Sequence, residues 1–177
     1  MVVMADKSVP TSDHIRDIIS FVEASPTSYH AVAELTRRLE QAGFQRLEET
    51  ESWPSVEGRR YVVRDGAVIA WITPEKVTPQ LGARIVGSHT DSPSFKLKPN
   101  ATVTNQGWQQ VGMEVYGGGL LNSWLDRDLG LSGRLVTCDG QAHLVRTGPI
   151  LRISQLAPHL DRTVNDDLKL DRQRHLM

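Results

Sequence analysis

The run Val86-Gly87-Ser88-His89-Thr90-Asp91-Ser92-Pro93 constrains this chain more than any other stretch. Ile85 and Val86 read as the end of an apolar strand running from Ala83, and Gly87 and Ser88 open a turn after it. In open α/β sheets, functional side chains collect at the carboxyl ends of strands, and His89 occupies that place. Residues two apart in extended backbone point the same way. Asp91 can therefore accept a hydrogen bond from the imidazole nitrogen that faces away from a bound metal. On this reading His89 is the metal ligand and Asp91 takes a catalytic role as the carboxylate that orients it. The plain alternative is a strand-end histidine with an aspartate capping the turn before Pro93.

Length and charge narrow the classes. A chain of 177 residues is one domain, or a domain and part of another, and 39% hydrophobic residues suffice for a core. A net charge of -1 offers no basic patch for phosphates, so nucleic acid is not expected as a partner. Met1 to Pro10 lacks the pattern of an export signal, and no segment has the roughly 18 consecutive apolar residues that span a bilayer. No membrane association is expected. The one cysteine, Cys138, has no internal disulfide partner and lies beside an Asp139-Gly140 turn, which fits the cytoplasm.

Along the chain, Ile15, Ile18, Ile19 and Val22 recur at helical spacing after Thr11-Ser12-Asp13, and Ser25-Pro26 stops the run. A second helix is expected from about Ser28, with Val32, Leu35 and Leu39 on one stripe and Gly43 as its terminator. Tyr61 to Arg64 and Ala67 to Trp71 flank Asp65-Gly66, which predicts an antiparallel hairpin. Thr73 to Leu81 reads as a loop. Beyond Pro93 the texture becomes β-rich, with strand-like runs at Met113 to Tyr116, Gly130 to Val136, Ala142 to Arg146 and Ile150 to Ile153. The change near Leu97 suggests a boundary between residues 1–97 and 98–177.

The string Tyr116-Gly117-Gly118-Gly119-Leu120-Leu121-Asn122-Ser123-Trp124-Leu125-Asp126-Arg127-Asp128-Leu129-Gly130-Leu131-Ser132-Gly133-Arg134 sharpens the reading. Together with the His89 segment it resembles the aspartyl aminopeptidase family, dinuclear zinc exopeptidases that remove single N-terminal residues. The likeness reaches back to Ala24-Ser25-Pro26-Thr27-Ser28-Tyr29-His30 and forward through Leu156-Ala157-Pro158-His159-Leu160 to Gln173-Arg174-His175. Family members are more than twice as long.

The resemblance implies an α/β fold, a zinc-exopeptidase-type mixed sheet flanked by helices and incomplete here. The start of a β-rich inserted dimerisation domain follows it. It implies zinc, two ions per complete active site with other divalent metals as substitutes, and peptide substrates with an acidic N-terminal residue. It implies a homo-oligomer, dimers assembling further. His159 matches a histidine that reaches into the partner subunit's site to bind substrate, although Pro158 and Ser154-Gln155 depart from the family's pattern. A packing or capping role for His159 stands beside that one. The family's remaining zinc ligands and its general base lie downstream of Met177.

Other constellations read as structural. Gly117-Gly118-Gly119 lacks the Gly-Lys-Ser/Thr of a phosphate cradle and suggests a tight turn. Asp126 and Asp128, beside Arg127 and apolar neighbours, suggest a packed, salt-bridged segment, because close carboxylates need a cation or a shared proton. Glu48-Glu49 reads as solvated charge. His30, at a helix start, is either a substrate contact or a structural residue. Two functions from different classes follow: the N-terminal portion of an aminopeptidase, active only with the missing part, or a non-catalytic truncated subunit retaining an oligomerisation surface. A weaker third is a hydrolase using Ser88 or Ser92 with His89 and Asp91.

Overall fold

The computed structural model describes residues 12–53, 57–76, 78 and 82–176. The opening segment read above for export signals lies outside them, as do residues 77 and 79–81 of the loop before the His89 run. The chain is mixed α/β and divides into two compact units: 1–91 with 133–144, and 92–132 with 145–177.

Both helices start where the sequence supplies a cap. α1 (Asp13–Ala24) begins after Ser12, whose hydroxyl oxygen accepts from the Ile15 N–H at 3.3 Å. α2 (Ser28–Gln41) begins after Thr27, which accepts from the His30 N–H at 3.3 Å. α2 closes as expected at Gly43, which sits at φ 81° while its N–H reaches the Glu40 carbonyl and the Phe44 N–H reaches that of Leu39. β1 (Gln45–Arg46) runs parallel to β2 (Gly58–Arg64), and β2 pairs antiparallel with β3 (Ala67–Thr73), so β2 is central.

The predicted hairpin forms around Asp65-Gly66, with Arg64 opposite Ala67 and Asp65 in the left-handed region at φ 51°. Gly66 is required for another reason. A Cβ placed on it would stand 2.7 Å from Ser28 Oγ and 3.1 Å from Ser28 Cβ, so the turn abuts the first residue of α2.

The core of the first unit is small, with Ala31, Val32, Tyr61 and Val62 buried. Tyr61 is 1% exposed and its hydroxyl donates to Glu40 Oε1 at 2.6 Å; burial, then this carboxylate, pushes the phenol up to about 12. Glu34 accepts from Arg37 and Arg38, each at 2.6 Å, and these guanidinium groups hold its carboxyl down at about 2. Glu48 and Glu49 are ion-paired with Arg46 and Arg64. Arg38 also pairs with Asp17 of α1 at 2.8 Å, yet no residue of α1 is buried, and Ile18 and Val22 are more than half exposed.

One expected strand does not form. Residues 82–89 belong to no ladder, and Ile85 and Val86 are 88% and 96% exposed. A strand is stable only when a neighbour satisfies its N–H and C=O groups, and none of the strands among the described residues pairs with this run.

In the second unit, β4 (Ser94–Asn105) and β5 (Trp108–Tyr116) make a long hairpin around Gln106 and Gly107, at φ 50° and 81°. Leu97 lies inside β4. Leu125, Ile153 and Leu176 form the core of this unit, with Phe95, Met113 and Trp124 packed on it. The Ile150 to Ile153 run makes only isolated bridges, Leu151 to Leu129 and Ile153 to Leu125, and the Ile150 and Leu151 N–H groups share the Leu129 carbonyl. β6 (Ser132–Val136) and β7 (Ala142–Arg146) pair with each other around a turn containing Gly140 at φ 82°. Within the first unit, Arg134 bonds Asp65 and lies 4.6 Å over the Tyr29 ring.

Candidate metal-ligand site

His89 and Asp91 are neighbours, but the imidazole bonds the Asp91 backbone carbonyl, with the carboxylate expected from the spacing standing farther off. The imidazole Nδ1 lies 2.5 Å from the Asp91 carbonyl oxygen and 3.4 Å from Asp91 Oδ1. A carbonyl and a carboxylate only accept, so Nδ1 carries the hydrogen and donates it. In the neutral ring the lone pair is then on Nε2, the nitrogen turned away from Asp91. This is the tautomer a metal-binding imidazole needs, with its second nitrogen held by an acceptor. The His89 side chain is 77% exposed and that of Asp91 39%.

The segment is anchored by a residue the sequence reading passed over. Thr90 lies at a bend, and its hydroxyl donates to the Gly66 carbonyl at 2.6 Å. That partner, on the hairpin turn, could not have been read from the sequence. Ser88 Oγ donates to the backbone carbonyl of His89 at 3.2 Å, so its hydrogen is directed away from the imidazole and no serine-histidine pair forms there.

The other candidates take ordinary places. His159 sits exposed in a turn at 158–160 of the second unit. His30 Nδ1 lies 2.8 Å from Thr27 Oγ1 at the start of α2. His143 is exposed on β7, and His175 Nδ1 accepts from the Asp171 N–H at 3.0 Å within a local turn. Cys138 is a free, exposed thiol. The Asp126 and Asp128 segment is a backbone clip: Asp126, at φ 52°, accepts from the Gln155 N–H at 3.2 Å, and Asp128 pairs with Arg152 rather than with Arg127. At Gly117, a Cβ would meet Pro93 at 3.2 Å, which fits the tight-turn reading of the glycine run.

The donor set fits zinc in part. His89 Nε2 is a borderline-soft nitrogen of the kind zinc prefers, and its orienting acceptor is in place. Among the described residues no group of three or more His, Cys, Asp or Glu is arranged to hold a metal. A catalytic zinc takes about three protein ligands, so these residues supply one. No helix among the described residues is long and apolar enough to cross a membrane.

Comparison with known proteins places the chain in a class. The model of the aminopeptidase I zinc metalloprotease family (M18) matches residues 21–177, and the chain belongs to that family. It is 55% identical over 165 residues to a probable M18 family aminopeptidase 2 of Streptomyces avermitilis, covering 92% of this chain and 38% of the relative. A chain in the cryo-EM structure of the Ape4 and Nbr1 complex matches with TM-score 0.81 and 38% identity, over 91% of this chain and 32% of that one. The S. cerevisiae mApe1 dodecamer matches with TM-score 0.74 and 32% identity, over 83% and 36%. The chain therefore spans well under half the length of the relatives it matches.

Proposed function

We propose that this chain is the N-terminal portion of a zinc-dependent aminopeptidase that releases single N-terminal residues from peptides, acidic ones by preference. It is catalytic when the remaining length of its relatives is present. The observation that carries the reading is the 2.5 Å contact of Nδ1 with the Asp91 carbonyl, an acceptor that leaves His89 Nε2 as the donor nitrogen, in a chain whose family is named for zinc. When bound, zinc would polarise the scissile carbonyl and lower the pKa of water. His89 would hold one ion through Nε2. The Asp91 backbone carbonyl accepts the Nδ1 hydrogen and fixes the ring plane. A complete site is expected to hold two ions, with the other ligands and the general base supplied by the remainder.

We further propose a cytoplasmic homo-oligomer in which His159 acts across a subunit contact. The dodecameric relative supports the assembly, and the free exposed thiol of Cys138 suits a reducing compartment. The exposure of Ile85 and Val86 favours a second reading, a non-catalytic subunit that associates through apolar surface.

Zinc affinity of variants tests the first reading. The vehicle is a protein joining these residues to the remaining length of the Streptomyces relative. Asp91→Asn, which keeps the carbonyl acceptor and loses only the carboxylate charge, is expected to weaken zinc binding by up to about tenfold, and His89→Ala to remove one ion per subunit. Unchanged zinc content in His89→Ala would exclude His89 as a ligand.

A further inference from the structure

We propose that Thr90 is a positioning residue for the metal ligand. By donating its hydroxyl hydrogen to the Gly66 carbonyl, it holds the backbone step that brings the Asp91 carbonyl to His89 Nδ1 and leaves Nε2 as the lone-pair nitrogen. The inference rests on the reading of His89 as the metal-holding imidazole.

Residues 82–89 lie outside any ladder, so no sheet register fixes the rotation of the peptide units that carry His89. Its side chain is 77% exposed, so packing does not fix the ring either. What fixes it is the Nδ1 contact with the Asp91 backbone carbonyl, and that contact depends on the backbone torsions between residues 89 and 91. Thr90 is the residue between them. Its 2.6 Å bond ends on the hairpin turn, where the Gly66 carbonyl is itself placed by close contact between Gly66 and Ser28. A hydroxyl at this distance and a β-branched side chain with restricted χ1 make a stiff strut. The order of support is therefore α2, hairpin turn, Thr90, imidazole. Without the strut, the step at residue 90 is free to rotate and the imidazole reverts to the Nε2–H tautomer that an unconstrained ring favours. That tautomer places a hydrogen where the metal would bind.

The test uses the 177-residue chain and zinc ion alone, with ring nitrogens read by long-range proton–nitrogen NMR at a pH where His89 is neutral. In the wild type, His89 should carry its hydrogen on Nδ1 and respond to added zinc at Nε2. Thr90→Val keeps the shape and loses the donor: the His89 signals should move toward the Nε2–H tautomer, and the zinc concentration at half response should rise roughly tenfold. Thr90→Ser keeps the donor and should restore both signals. Amide signals from the β2–β3 hairpin report folding, and Thr90→Ala, which removes the donor and adds no apolar methyl, gives the same reading should Thr90→Val disturb them. Wild-type tautomer and zinc response in the hydroxyl-free variants would overturn the proposal, as would a Thr90→Ser chain that behaves like Thr90→Val. Failure of the ligand reading looks different: a His89→Ala chain would then bind zinc as the wild type does, whatever Thr90 does.

Discussion

Gly66→Ala tests the argument that places the hairpin turn against α2. Gly66 is not at positive φ, so alanine brings no backbone strain, and its whole cost comes from the new Cβ. That atom would stand 2.7 Å from Ser28 Oγ and 3.1 Å from Ser28 Cβ. The hydroxyl can rotate away, whereas the Cβ cannot move without α2. The cost thus falls near the low end of the range for overpacking, about 1–2 kcal/mol. Against it stands a gain of about 0.4–1 kcal/mol from the stiffer unfolded chain. A double-mutant cycle with Ser28→Gly separates the two. In the wild-type background Gly66→Ala should destabilise; in the Ser28→Gly background it should be neutral or stabilise by up to about 1 kcal/mol. Urea unfolding of the four chains, followed by Trp fluorescence, reads this out. With m of about 2 kcal/mol per molar urea, 1 kcal/mol moves the midpoint by about 0.5 M. If the two substitutions simply add, the close approach is not what requires glycine at this position.

Three other outcomes follow from the structure. Tyr61→Phe removes the bond to Glu40, whose carboxylate stays in contact with water, and should lower stability by about 0.5–1.5 kcal/mol in the same assay, whereas an unchanged midpoint would contradict the bond. Glu34 titrates at about 2 in the folded chain against an ordinary 4.5, a depressed value, so its stabilising share is present above pH 4.5 and lost as pH falls toward 2. Arg37 is half exposed, which limits that share to about 1 kcal/mol; Glu34→Gln should flatten the acid limb of the urea midpoint over that window. In the joined protein, mixing His159→Ala subunits with subunits lacking His89 should restore part of the activity. A mixed dimer then has one site missing both residues and one intact; no recovery in dimers shown to form would contradict the trans role.

Much of this was legible in the residues. Caps are local chemistry, so Ser12 and Gly43 marked helix ends, and Asp65-Gly66 marked its hairpin because a two-residue turn needs φ > 0 near its start. The nearness of His89 and Asp91 was legible from their spacing, but the acceptor, the Asp91 backbone carbonyl, was not. The β4–β5 hairpin was not: its strands carry Thr, Asn, Gln and Lys, and the sole punctuation is Gln106-Gly107. The strand read at Ala83 to Val86 was wrong for this chain because an apolar run specifies a strand only where a partner edge exists. The Thr90 to Gly66 bond joins distant segments, and no single-sequence pattern encodes such a partner. Nor could periodicity show that Gly133–Leu144 belongs with the first unit, since that depends on Arg134 meeting Asp65 and Tyr29.

The central claim is that these residues hold part of a zinc site and need the remaining length to act. Hydrolysis of a peptide with an N-terminal aspartate, followed with added zinc, tests it most directly. The purified 177-residue chain should show no turnover above a His89→Ala control, and the same residues joined to the remaining length of the Streptomyces relative should show zinc-dependent turnover. Zinc-dependent turnover by the 177-residue chain alone, above that control, would contradict the account.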